Sequence, residues 1–449
     1  MLCHWRFFVI LFVLLSGVRV QAQQIISLNW DDVVELTREH NLEVKLTIQD
    51  YAFQSKNVLK AYGDFLPRLD YQFQAVNNIE RPEFVIPGFG RIRFGTEYNY
   101  THILQLQLPV FTGLSRIANL RIQKSLNRSM AEELRNKEDG VVLKALEAYF
   151  GLMLANTLIN VNQRGYDAAR ANFEQVEKFY DLGAASKLDY LRAKARLSSA
   201  EPPLRSAYNR RSLAEENLKF ILNTNPEDSL VILDTLARQE FLKQYGSFIL
   251  TDLCSLAVLN RPDLESLRYQ KEVAGDQKTV SLSRFLPVIS LAASVQHQAQ
   301  IENWQVNSSD YVRSKSAVLV VQLPLFQGAK RIFDYQQSQI NEQKADIALE
   351  LSRKSAVLQV EAAYLKFQDT RENLASLEEA MLEAREALRL ADLNYQEGII
   401  TQVDVLTSQV SLITSEVNFQ QGVYDYNLSQ LYLLKAIGKL NIIWHNNRG

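Results

Sequence analysis

Two spacings of apolar residues take turns along this chain. From Asp31 to Gly63, the positions Val33, Val34, Leu36, Leu42, Val44 and Leu46 fall at helical intervals. Pro67 interrupts, and Arg68–Val76 changes to a period of two, with Leu69, Tyr71, Phe73 and Ala75 against Asp70, Gln72 and Gln74. A second alternation over Glu97–Pro109 sets Tyr98, Tyr100, Leu104, Leu106 and Leu108 against Asn99, Thr101, Gln105 and Gln107. Helical spacing then runs without a proline from Leu114 to about Tyr180, and resumes over Lys187–Leu222. The pattern predicts helix, strand, loop, strand, very long helix, turn, helix. Arg81–Thr96, with Pro82, Pro87, Gly88, Gly90 and Gly95, reads as the loop between the strands.

The same order then recurs. QLPVFTG at Gln107–Gly113 returns as QLPLFQG at Gln322–Gly328, an offset of 322 − 107 = 215 that also pairs Tyr149 with Tyr364, Gly183 with Gly398, Asp189 with Asp404 and Leu191 with Leu406. Phe65-Leu66-Pro67 and Phe285-Leu286-Pro287 differ by 285 − 65 = 220, which places a small length change in the intervening loop. A period near half the chain means one large unit, duplicated and fused, rather than a solenoid of short repeats. In the second copy Val288–Gln298 alternates cleanly, whereas Tyr311–Leu323 puts Arg313 and Lys315 in register with apolar positions. At a strand start such side chains can snorkel to headgroups. The expected boundaries are residues 23–224 and 246–439 for the repeats, 225–245 for the linker and 440–449 for a tail; linker and tail are expected to form a small collar on the helices.

Lengths then constrain the architecture. About 65 helical residues at ~1.5 Å each span on the order of 100 Å, more than a globular core needs. Apolar spacing with many Gln, Glu, Arg and Lys between reads as helices lying side by side in coiled-coil fashion. The shorter helices, 31–63 and 187–222, together approach the long one in length and can stack into a column beside it. Columns so narrow require other copies of the chain to complete a cylinder. Strands of roughly 9–11 residues with one apolar and one polar face suit a barrel with lipid outside and water inside, its tyrosines at the membrane boundary. The pattern alone leaves open a soluble hairpin with one face on a core.

The N-terminus and the composition narrow the class. Phe7–Leu15 is an apolar stretch preceded by Arg6, and Val20-Gln21-Ala22 is a small-x-small site, so residues 1–22 read as a secretory signal peptide. Cys3 would leave with it, and the mature chain keeps Cys254 alone, with no internal disulfide. No later run of ~20 apolar residues suggests a membrane-spanning helix, so membrane entry would require a barrel. A net charge of −2 gives no surface for nucleic acid. His4, His40, His102, His297 and His445 are scattered, with no metal-binding spacing, P-loop or nucleophile elbow, so neither catalysis, a cofactor nor a metal is expected.

The sharpest local signature follows each long helix: Tyr180-x-x-Gly183-x-x-Ser186-x-x-Asp189, and Tyr395-x-x-Gly398-x-x-Thr401-x-x-Asp404. A glycine past a helix end takes the left-handed conformation. Ser186 and Thr401 are then N-caps, with the aspartates three residues on as in a capping box. That reading needs no function. A functional reading adds symmetry: in a tube of several chains, Asp189 and Asp404 repeat around the tip, and a carboxylate ring there selects cations and gates passage.

The duplicated FLP and QLP-x-F-x-G signatures, with Y-x-x-G-x-x-T-x-x-D-V-L at Tyr395–Leu406, resemble the TolC-type outer-membrane efflux family over essentially the whole mature chain. The resemblance implies a mainly α, mixed fold: a homotrimer with four strands per chain in a 12-stranded outer-membrane barrel, continued by a periplasmic helical tunnel. It implies a passive exit duct, docked at its tip by a periplasmic adaptor and served by an inner-membrane transporter of the RND, ABC or MFS class. Asp404 matches the first aspartate of the family's aperture ring, Tyr395 its tyrosine latch, and Asp189 the acidic partner on the neighbouring turn. Tyr180, Gly183 and Gly398 belong to the tip turns expected to dock the adaptor. Two positions depart: Thr407 stands where a second aspartate is usual, and Ile400 where an arginine reaches toward the Asp189 position. Arg192 and Thr407 (407 − 192 = 215) show that the two turns have diverged. The rival readings are a soluble periplasmic helical scaffold and a stand-alone porin.

Overall fold

In the computed structural model, residues 25–88, 90–245 and 249–445 are described; the expected signal peptide, 1–22, and residues 446–449 of the tail lie outside them. The chain opens with β1 (Ile25–Leu28), α1 (Trp30–His40) and α2 (Leu42–Gly63). Next come β2 (Arg68–Asn77), the small hairpin of β3 (Glu83–Ile86) and β4 (Gly90–Arg93), and β5 (Tyr98–Thr112). The first repeat ends with α3 (Ser115–Asp181) and α4 (Lys187–Leu222), and β6 (Ser229–Ile232) follows. The second repeat runs α5 (Leu250–Asn260), α6 (Pro262–Ser283), β7 (Val288–Ile301), β8 (Tyr311–Gln322), α7 (Lys330–Gln396) and α8 (Gln402–Ala436), before a short α9 (Ile442–His445).

The duplication holds element by element. α5, α6 and β7 start 220 residues after α1, α2 and β2 (250 − 30, 262 − 42, 288 − 68), and α7 and α8 start 215 after α3 and α4 (330 − 115, 402 − 187). Three sequence expectations are corrected. The helix expected over 31–63 breaks at Asn41, whose backbone is extended (φ −61°, ψ 130°) and whose Oδ1 accepts from the Glu43 and Val44 N–H groups at 2.8 and 3.2 Å. Asparagine there caps a new helix rather than continuing the old one. The long helices begin one residue later than expected, because Leu114 and Ala329 are left-handed (φ +74° and +61°). The loop over 81–96 contains the β3–β4 hairpin, which turns through Pro87 and Gly88 (φ +90°).

The chain divides into two compact units. One comprises residues 46–136 and 257–358. It holds a four-stranded antiparallel sheet in the order β2-β5-β7-β8. Its register aligns Leu69, Leu106, Ala293 and Ala317 across the strands, and Tyr71, Leu104, Val295 and Lys315 in the next row. Alternation then gives one face rich in Leu, Val and aromatics and another of Gln72, Gln105, Ser294, Gln296 and Ser316. Much of the apolar face is left open by the described residues: Leu69, Tyr71 and Leu319 are each at least 63% exposed. A sheet exposing its greasy face fits lipid, not a soluble hairpin over a core.

The other unit takes its described residues from 1–45, 137–256 and 359–449. Here the middle of α3 is largely buried, with Val142, Leu146, Tyr149, Leu152 and Met153 inside. This stretch is apolar enough to cross a membrane, but most of it packs inside the protein. The Tyr149 hydroxyl donates to Asp234 at 2.6 Å, and burial with that bond drives its pKa up. The inter-repeat segment is tied down by a parallel β1–β6 pair and by two fully buried amides on α8. Asn427 donates to the Ala237 carbonyl (2.9 Å) and accepts from the Gln239 N–H (2.9 Å); Gln430 does the same with the Gln239 carbonyl (2.8 Å) and the Leu242 N–H (3.2 Å).

Candidate functional site

The turns after α3 and α7 share one backbone design. Gly183 (φ +72°) donates to the Tyr180 carbonyl and Ala184 to Phe179; Gly398 (φ +76°) donates to Tyr395 and Ile399 to Asn394. These paired bonds define a Schellman ending, which needs a residue free to be left-handed. The next helices are capped by side chains. Asp189 N–H donates to Ser186 Oγ (3.1 Å), and that hydroxyl donates to the Asp189 carboxylate (2.6 Å). In the second turn the Thr401 N–H and hydroxyl both donate to Asp404 Oδ2, at 2.9 and 2.6 Å. These bonds, the hydroxyl's foremost, hold the Asp404 carboxyl below its ordinary pKa of 3.8.

The turns differ beyond their backbones. In the first, the Tyr180 and Tyr190 rings stack at 5.1 Å, and Lys187 Nζ lies 5.0 and 4.6 Å from their centroids. Arg192 approaches Asp189 at 3.9 Å. In the second, Tyr395 is half-buried, Ile400 is half-buried and Asp404 is exposed. Thr407 turns its hydroxyl back to the Val403 carbonyl of its own helix at 2.7 Å, so it adds no bond between helices. Buried Gln402 donates to Asn172 at 3.0 Å, tying the start of α8 to α3. Farther along, buried Glu416 of α8 receives Arg164 of α3 (2.7 Å) and Arg385 of α7 (3.1 Å). Gly165 lets α8 come close, since a Cβ there would meet Ile413 Cδ1 at 2.7 Å.

Sequence reasoning missed the Tyr190–Lys187 stack and the Glu416 bridge. The first needs the hairpin closed before its rings meet; the second joins residues 252 apart, which no local spacing signals. Large apolar side chains are exposed at both turns, Leu182 at 80% and Ile399 at 65%. Among the described residues, no group of three or more His, Cys, Asp or Glu could hold a metal ion.

The chain is 21% identical over 399 residues to alkaline protease secretion protein AprF of Pseudomonas aeruginosa, covering 88% of this chain and 81% of that one. It is 22% identical over 397 residues to outer membrane protein TolC of Escherichia coli, covering 83% and 78%. The crystal structure of the Campylobacter jejuni CmeC outer membrane channel superposes with a TM-score of 0.77 at 17% identity, covering 92% of this chain and 86% of that one. The outer membrane efflux protein family matches twice, at residues 38–224 and 253–439, a separation of 253 − 38 = 215 that reproduces the internal repeat. The chain therefore belongs to the outer membrane efflux protein family, whose members are outer-membrane channels with a periplasmic extension.

Proposed function

We propose that three copies of this chain close into a passive exit duct across the outer membrane and periplasm. The observation that carries this reading is the four-stranded sheet whose edges, β2 and β8, have no partner among the described residues. Unpaired backbone edges are not tolerated in lipid, so β8 of one copy must pair with β2 of the next. Three copies give 3 × 4 = 12 strands, an even number as bacterial barrels require. Six quasi-equivalent repeats then surround one tube.

At the periplasmic tip, Asp404 from each copy forms a three-carboxylate ring, with Tyr395 and Asp189 on the adjoining surfaces. Its capping bonds both meet Oδ2, which leaves Oδ1 outside that pair and available to a cation in the lumen. With Thr407 bonded to its own helix, the closing network has fewer polar links than one built on two carboxylate rings. Leu182 and Ile399 are exposed beside Gly183 and Gly398 and offer apolar contacts to a periplasmic adaptor. Energy comes from an inner-membrane transporter of the RND, ABC or MFS class, the kind of partner that an efflux or secretion channel serves. A relative named for protease secretion and a fold neighbour described as an outer membrane channel support the export route.

Single-channel recording in planar bilayers tests the gate. Asp404→Ala should raise the conductance of the closed tip and weaken block by divalent cations added from the tip side. Unchanged conductance and block would reduce Asp404 to a helix cap.

A further inference from the structure

We propose that the lipid-facing surface of the sheet carries a binding site for the phosphates of an outer-leaflet lipid, with Arg313 and Lys315 as its charged ligands. The register places His102 opposite His297, and His297 opposite Arg313; in the next row Val295 is opposite Lys315. All five side chains share one face with Leu104, Leu106, Leu291 and Leu319, since residues two apart on a strand point the same way. The ring groups beside them are held in place. Tyr71 Oη lies 2.8 Å from His102 Nδ1, and His102 Nε2 lies 3.2 Å from Tyr311 Oη, a link across three strands. Phe73 packs on the His102 ring at 4.6 Å. Fully buried Ala299 sits between Tyr100 and Tyr311 in the register.

The cations themselves are unanswered. Arg313 and Lys315 are exposed, and neither has an ion-pair partner among the described residues. The face has no carboxylate: β2 contributes Leu69, Tyr71, Phe73 and Ala75, β5 tyrosines, His102 and leucines, and β7 and β8 no Asp or Glu. Closing the barrel does not neutralise them, because the β2 edge that meets β8 brings the same uncharged side chains. Two adjacent cations at a lipid-facing position call for an anion from the lipid itself.

Their height fits. Arg313 is the third residue of β8, close to the loop end, and Ala317, Leu319 and Val321 continue the face toward the helical end. From Arg313 to Val321 is roughly 27 Å along the strand at ~3.4 Å per residue, or on the order of 20 Å across a membrane at the usual barrel tilt. That length is close to a bilayer's apolar band, so the pair sits at its outer border. The helices extend into the periplasm, so the loop end is the outer-leaflet end. Tyrosine hydroxyls and histidine rings beside the cations add hydrogen-bonding groups for a phosphate or its sugar.

The site depends on membrane placement, not on the export route. Native mass spectrometry of the full-length oligomer in a neutral detergent, titrated with bisphosphorylated lipid A or the same lipid enzymatically dephosphorylated, tests it. The wild type should hold the phosphorylated form roughly 10- to 100-fold more tightly, and Arg313→Gln with Lys315→Gln should bind both forms alike. Millimolar inorganic phosphate should leave the lipid bound. Equal binding of the two lipids by wild type would mean that the basic stems merely snorkel, and would overturn the proposal without any variant. A preference retained by the double variant, or displacement by inorganic phosphate, would overturn it too. The double variant's single-channel conductance should be unchanged, which separates failure of this site from failure of the duct.

Discussion

Gly328→Ala should weaken the assembled channel more than its surroundings within one chain can explain. Gly113 and its repeat partner Gly328 are both left-handed, at φ +62° and +63°. A Cβ on Gly113 would lie 2.5 Å from the Ser283 carbonyl oxygen and 3.0 Å from Leu286 Cβ, at the end of α6. A Cβ on Gly328 would meet nothing within 4 Å. The repeat offset of 220 makes Gly63 the counterpart of Ser283 (283 − 63 = 220), and within the chain Gly63 also has open space around it. If six repeats ring one tube, the Gly63 carbonyl facing Gly328 belongs to the next copy. Alanine at Gly328 then incurs left-handed strain of about 1–2 kcal/mol. In the assembly it adds about 1–3 kcal/mol of overpacking at each of the three junctions between copies. Gly183→Ala, left-handed at φ +72° with open space around it, measures the strain alone. The assay is the dissociation temperature of the detergent-solubilised oligomer. Gly328→Ala should lower it well beyond Gly183→Ala; equal shifts would refute the ring of equivalent junctions.

Two further outcomes follow from the other unit. Asn427→Ala leaves the Gln239 N–H and Ala237 C=O without partners, so thermal unfolding should register about 1–3 kcal/mol for each, and a neutral variant would contradict the clamp. The Asp404 carboxyl titrates below 3.8 when folded, so its capping contribution is complete above that value and is lost as pH falls through the lower, folded pKa. Hydrogen exchange at Thr401–Asp404, corrected for intrinsic rates, should therefore show equal protection at pH 7 and pH 5; loosening within that interval would count against the cap.

The strands and the long helices were legible because their periods are local: Leu69, Tyr71 and Phe73 share a face whatever the strand pairs with. Cap chemistry was legible for the same reason, since Gly183 bonds back to Tyr180, and Ser186 and Asp189 satisfy each other, all within a few residues. What escaped depends on distant partners. The β1–β6 ladder joins Ile25 to Ser229, and nothing in IISL announces a strand until SLVI lies beside it. Asn41 reads as one polar residue in a helical stretch, but its amide donates to the Ile221 carbonyl, 180 residues away, while its oxygen caps α2. Glu416 looks like any solvated glutamate until α3 and α7 bring Arg164 and Arg385 to it. The divergence of the tip turns at Arg192 and Thr407 was visible in the sequence; that Thr407 satisfies itself on Val403 was not.

The most direct test of the central claim is the native mass of the protein extracted from the outer-membrane fraction. The proposed duct predicts one species of three mature chains, because the β2 and β8 edges, unpaired among the described residues, are left for neighbouring copies. A monomer or dimer recovered intact from that membrane, or recovery of the protein in the soluble periplasm, would contradict it.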